Sequence, residues 1–148
     1  MKPEISRFLE VASAHLLLQS APAISDGYEQ SSVQTLAILL GVTREEAERA
    51  AARRVEENRA LRTLFGEAVP LVSEEALRGR LSEAAEGHDE SLLVSELEKG
   101  NAALRELLIA LHTYVETLEG DDARAFESAI WRELVLSTER RRLSLAPF

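Results

Sequence analysis

The stretch that decides the fold is Glu90–Glu119, ESLLVSELEKGNAALRELLIALHTYVETLE. Leu93, Leu97, Gly100, Leu104, Leu107, Leu111, Tyr114 and Leu118 step by four and three, which is the a/d seam of a helix over roughly four heptads. Leu108 and Val115 widen the seam to a core stripe. Gly100 stands inside it, where a glycine costs ~1 kcal/mol of helix propensity, so the spacing predicts a close backbone crossing there. Ile109 points about 160° away from the seam and Ala102 shares its side. A helix apolar on both sides is either central in a bundle or shared between subunits, and Ala102 and Ile109 are the candidate interface residues.

Working outward, sparse Gly and Pro act as punctuation in a chain dominated by Ala, Leu, Glu and Arg. A first helix is expected from Pro3 to Gln19, with Ile5, Phe8, Leu9, Ala12 and Leu16 on its apolar face. The connection is Ser20 to Gly27, and a second helix runs Tyr28–Leu40 to a cap at Gly41. Thr43-Arg44-Glu45-Glu46 reads as a capping box that opens a third helix to Phe65, stopped by Gly66 and Pro70. Ser73 caps a short fourth helix carrying Leu77 and Leu81. After the 90–119 helix, Asp121 or Asp122 caps a sixth that ends near Arg142, and residues 143–148 form a tail. The predicted fold is all-α, one domain over residues 1–148. It is a bundle of five or six mostly antiparallel helices with the 90–119 helix at its centre and a hinge at residues 66–73.

With 148 residues, 45% hydrophobic and 29% charged, the chain is long enough for one globular core. Its net charge of -9 argues against non-specific nucleic-acid binding and against an anionic membrane surface. Residues 73–120 contribute -7 of it. No apolar run approaches the ~20 residues of a spanning helix, and MKPEISRFLE lacks the order of a signal peptide. The cytoplasm is the default expectation. Without cysteine there is no disulfide, thiolate metal site or thiol nucleophile.

Polar residues on apolar faces supply the candidate site. Arg54 and Asn58 interrupt the line Ala47, Ala50, Ala51, Leu61, Phe65. Glu127 sits amid Phe126, Ile130, Trp131 and Leu134. A buried carboxylate needs a cation or a proton, which makes Arg54 its expected partner. The competing readings let Arg54 reach the edge and put Glu127 at the helix N-terminus, where the dipole favours it. His112 and His15 are the imidazoles to consider beside them, giving the candidate ligand-binding set Arg54, Asn58, Glu127, His112 and His15. His88 reads as solvated. No Glu-x-x-His or HExxH pattern occurs, so neither a metal nor another cofactor is expected. No phosphate loop or nucleophile elbow occurs either, and the reading leans away from an enzyme. Arg140-Arg141-Arg142 complements the last helix's C-terminus, or meets an acidic partner.

The functional expectation is a non-catalytic protein–protein interaction or regulatory accessory module that forms a homodimer. One alternative is a small-molecule-binding or catalytic bundle with a polar site between helices. A second is a DNA-binding regulator, since Val33–Thr43 followed by REEAERAAARR resembles a helix-turn-helix. There, Glu45, Glu46 and Glu48 would face phosphates, partly offset by Arg44, Arg49, Arg53 and Arg54.

Overall fold

The structure, a computed structural model, describes residues 4–143. The N-terminal Pro3 and residues 144–148 of the expected tail lie outside the described residues. The fold is all-α, with five α-helices and no strand among the described residues: α1 (Ile5–His15), α2 (Gly27–Ala68), α3 (Glu75–Glu86), α4 (Val94–Val115) and α5 (Asp121–Arg141). A π-helical turn, Leu16–Ser20, and a 3₁₀ turn, Ala21–Ala23, follow α1. No helix among the described residues is long and apolar enough to cross a membrane.

The main correction concerns α2. The two helices expected on either side of Gly41 are one continuous helix of 42 residues. One glycine costs ~1 kcal/mol, and no proline lies between Pro22 and Pro70 to add a break. The capping box is not formed, because the Thr43 hydroxyl donates to the Leu39 carbonyl, four residues back. Helix-turn-helix geometry is therefore absent from residues 33–54. The helix starts instead at Asp26, whose carboxylate accepts from the Tyr28 and Glu29 amides at 3.0 and 2.9 Å. The longest helix is thus α2, and α4 covers only Val94–Val115 of the expected 90–119. Leu93 lies before its first turn and is exposed.

Two other caps differ from expectation. Ser73 bonds the Tyr114 hydroxyl, through its amide and its own hydroxyl, and does not cap α3. Gly120 precedes α5 with φ 112°, a conformation that only glycine adopts without strain, so the chain turns there and not on an Asp side chain.

The described residues divide into two compact units: residues 4–50 with Leu143, and Ala51–Arg142. In the first unit, α1 runs antiparallel to the first half of α2. Ser13 donates to the Ala37 carbonyl at 2.7 Å, Arg44 pairs with Glu10 at 3.7 Å, and Ser6 bonds Glu48. Small residues make this approach, and Ser13, Ala21, Ala37 and Ala50 are its buried positions. The apolar face expected on the first helix splits, with Leu9, Ala12 and Leu16 partly covered while Ile5 and Phe8 are exposed.

The second unit holds the hydrophobic core. Leu61, Leu64 and Phe65 from α2 meet Leu77 and Leu81 from α3, Leu104, Leu107 and Leu111 from α4, and Phe126 and Ile130 from α5. The residues expected as a hinge lie inside this unit, with Ala68 and Val72 in its core. Short connections alternate the helix directions, as cross-helix pairs record. Gly66 of α2 lies against Ala85 of α3, and His112 of α4 against Trp131 of α5.

Candidate functional site

Inside the second unit, one turn above the leucine core, the facing helices carry a polar layer. Glu57 and Asn58 of α2 and Asn101 of α4 are buried, with Glu57 at 1% and Asn58 at 0% exposure. At ~100° per residue, Glu57 and Asn58 share the face of Ala50, Arg54, Leu61 and Phe65. The helix that packs through Leu61 and Phe65 must therefore bury them too.

The layer is a closed hydrogen-bond network. Arg141 grips the Glu57 carboxylate with two bonds, Nε at 2.7 Å and an Nη at 2.8 Å. Arg54 adds 2.7 Å to Oε2 and also pairs with Glu98. Asn101 donates to Glu57 at 3.4 Å and to the Asn58 carbonyl oxygen at 2.9 Å. The Ser137 hydroxyl reaches Glu57 at 3.3 Å. The Asn58 amide donates to Asp89 at 2.9 Å, and Arg62 donates to the same oxygen at 2.8 Å. Three arginines thus face three carboxylates across four parts of the fold, α2, the α3–α4 connection, α4 and α5. Gly100 abuts the layer, since a Cβ there would lie 3.8 Å from Asn58 Nδ2.

Two opposing effects set the charge state. Burial pushes the Glu57 carboxyl upward, but the hydrogen bonds and charge of Arg141, then the charge of Arg54, outweigh it and hold Glu57 below its ordinary value. Burial also pushes Asp89 upward, and the bonds from Arg62 and Asn58 win, leaving it lowered. The Glu57 bond raises Arg141 in turn. Both shifts favour the ionised form of Glu57 and Asp89. A cavity of about 20 Å³ lies beside Glu57, Asn101 and Ser137. That is room for a single water rather than a ligand.

Arg54 and Asn58, singled out by sequence, do meet here. Glu127 does not. Arg54 takes Glu57 and Glu98 instead, because a partner three residues along the same helix needs no distant approach. Glu127 is half-buried beside His112, and with Glu116 the three side chains place their ligating atoms within 4.8 Å of one another. His112 stacks edge-on against Trp131, with ring centroids 5.3 Å apart and planes at 84°. His15 is an exposed residue of the first unit and joins neither cluster. Ala102 and Ile109 both face outward from α4, Ile109 at 67% exposure.

Sequence reasoning missed Glu57, Asn101 and Arg141. Glu57 completes the face on which Arg54 and Asn58 were noticed. Asn101 stands four residues after Leu97 and three before Leu104, at the seam's edge. Arg141 is hidden in a run of three arginines whose helix-terminal position already explains their charge. The chain was compared with protein-family models, curated proteins and solved structures, and none matches.

Proposed function

We propose that this chain is a non-catalytic helical interaction module that self-associates through the apolar surface of its first unit. The observation that carries this reading is an inversion of burial. The α1–α2 hairpin covers Ser13, Ala21, Ala37 and Ala50, and leaves Ile5, Phe8, Val11, Leu18, Tyr28, Leu36 and Leu39 exposed. Large apolar patches on a helical surface mark interaction sites. Two helices make only half a bundle, and a second identical hairpin is the simplest surface that would complete it, by an isologous contact.

The alternative, a ligand or catalytic site in the polar layer, is disfavoured by the layer's own chemistry. Every carboxylate in it already holds a cation, and the cavity beside Glu57, Asn101 and Ser137 is about 20 Å³. A wider groove of about 520 Å³ reaches the layer only at Arg62 and Asp89, which already bond each other. A general base needs a free lone pair aimed at substrate.

Light scattering coupled to size exclusion tests the reading. The wild-type chain is expected to elute as a dimer at micromolar concentration. The double variant Phe8→Glu, Leu36→Glu is expected to elute as a monomer with the same far-UV helical signal. A wild-type chain that stays monomeric at ~100 μM, about −5.5 kcal/mol of association on the usual scale, would overturn it.

A further inference from the structure

The α4–α5 hairpin gathers a second, unrelated set of donors. At the end of α4, His112 in the last turn and Glu116 at the C-cap stand four residues apart and share a face. Glu127, in the second turn of α5, approaches them from the antiparallel neighbour. The spacing of their ligating atoms, all within 4.8 Å, is independent of the polar layer around Glu57.

His112 Nε2 is buried and has no hydrogen bond among the described residues. Its nearest carboxylate oxygen, on Glu116, is 3.8 Å away, beyond hydrogen-bond range. A buried ring nitrogen left without a bond is costly, and native proteins usually satisfy it. Among the described residues no arginine or lysine pairs with Glu116 or Glu127, so two carboxylates adjoin without a fixed cation. One ion would supply both deficits, a Lewis acid for the nitrogen and positive charge for the oxygens.

We propose that His112, Glu116 and Glu127 bind a divalent transition-metal cation of the zinc class. The donor chemistry sets the class. Imidazole suits zinc, cobalt, nickel and copper, whereas magnesium and calcium take oxygen donors. In a tetrahedral zinc site, donors about 2.1 Å from the ion are roughly 3.4 Å apart. The present spacing, at most 4.8 Å, closes to that with a change of about 1.4 Å, shared between the half-buried Glu127 side chain and Glu116, whose side chain is 59% exposed. Three protein donors leave a position for water or a further ligand. The contact with Trp131 fixes the imidazole plane.

Trp131 is the chain's only tryptophan and its ring lies 5.3 Å from that of His112, so it reports the site directly. Untagged, chelator-treated full-length chain is titrated with Zn²⁺ by calorimetry and with Co²⁺ and Ni²⁺ by Trp131 fluorescence. The expected result is one equivalent of Zn²⁺ at micromolar affinity, quenching of Trp131 by one equivalent of Co²⁺ or Ni²⁺, and no response to millimolar Mg²⁺. Glu127→Gln, which keeps the side chain's shape, is expected to weaken Zn²⁺ at least tenfold, on the order of a lost ligand-shell contact. His112→Ala should do the same, while His88→Ala and His15→Ala should bind as the wild type does. Zn²⁺ binding within tenfold of wild type in Glu127→Gln, or none at all in the wild type, overturns the proposal.

Discussion

The two units place the same kinds of residue on opposite sides. The second buries a carboxylate, two asparagines and a shell of leucines. The first buries a serine and three alanines and turns Ile5, Phe8, Leu18, Leu36 and Leu39 outward. Both are built from helices of the same Ala-, Leu- and Glu-rich composition, so helix propensity does not separate them. What separates them is the number of helices available to cover each face. Four in the second unit can close around an apolar core and even around charge, provided every charge is matched. Two in the first meet along one line of small side chains and leave the rest of each helix without cover. Where burial is complete, stability is internal. Where it is not, the proposed second copy would supply the missing cover.

Substitutions can break this comparison, and the largest effect belongs to the core. Phe65 is fully buried among leucines, so Phe65→Ala should cost about 3–5 kcal/mol by chemical denaturation. The next effect tests the charged layer. Glu57→Gln removes the charge that four partner side chains address and leaves Arg54 and Arg141 under-compensated. A loss of about 3 kcal/mol is expected, at the lower end for a broken buried pair because Arg141 can swing partly into water. The pH dependence has a definite sign. Glu57 and Asp89 are held below their ordinary values of 4.5 and 3.8, so their contribution is complete above those values. It is lost as pH falls through the lowered folded values. Acid titration of stability should show a steep limb below about pH 4.5 in the wild type and a shallower one in Glu57→Gln. Identical acid limbs would mean the pairing contributes nothing.

A smaller effect, about 1–3 kcal/mol, is expected of Gly120→Ala, because the backbone there lies at φ 112° in a region that glycine alone adopts freely. Thermal denaturation measures it. Gly79, which has open space around a would-be Cβ and no positive φ, is the control and should tolerate alanine or gain slightly.

Much of the second unit was legible in the sequence, because heptad spacing in Leu97, Leu104, Leu107 and Leu111 reports a buried stripe whatever its neighbours are. So was the polar interruption at Arg54 and Asn58. The partners were not, since which arginine meets which carboxylate depends on register between helices far apart in sequence: Arg141 reaches Glu57 across 84 positions. Local pairing also outcompeted the distant one expected between Arg54 and Glu127. The break at Gly41 failed for a different reason. A glycine followed by a Thr-x-x-Glu box is a sound local signal, but continuing a strong helix costs less than stopping it. In the first unit, periodicity identified apolar faces and could not say that they lack cover, because a stripe reads the same whether it meets its own chain or another.

The smallest intramolecular effect is expected where the apolar surface is largest, and it is the sharpest test of the comparison. Phe8 is 68% exposed, so Phe8→Ser should change the unfolding free energy of the dilute, monomeric chain by no more than about 0.5 kcal/mol. Association adds to apparent stability by mass action, so the wild-type melting temperature should rise with protein concentration. That rise should shrink in Phe8→Ser, because the substitution removes apolar area from the contact while leaving the hairpin's Ser13–Ala37 bond intact. Two parallel melting series, from sub-micromolar to hundreds of micromolar, read both quantities at once. If dilute Phe8→Ser loses as much as Phe65→Ala does, the first unit covers Phe8 with its own chain and the contrast between the units fails. If both proteins melt independently of concentration, the contrast stands but the partner is not a second copy.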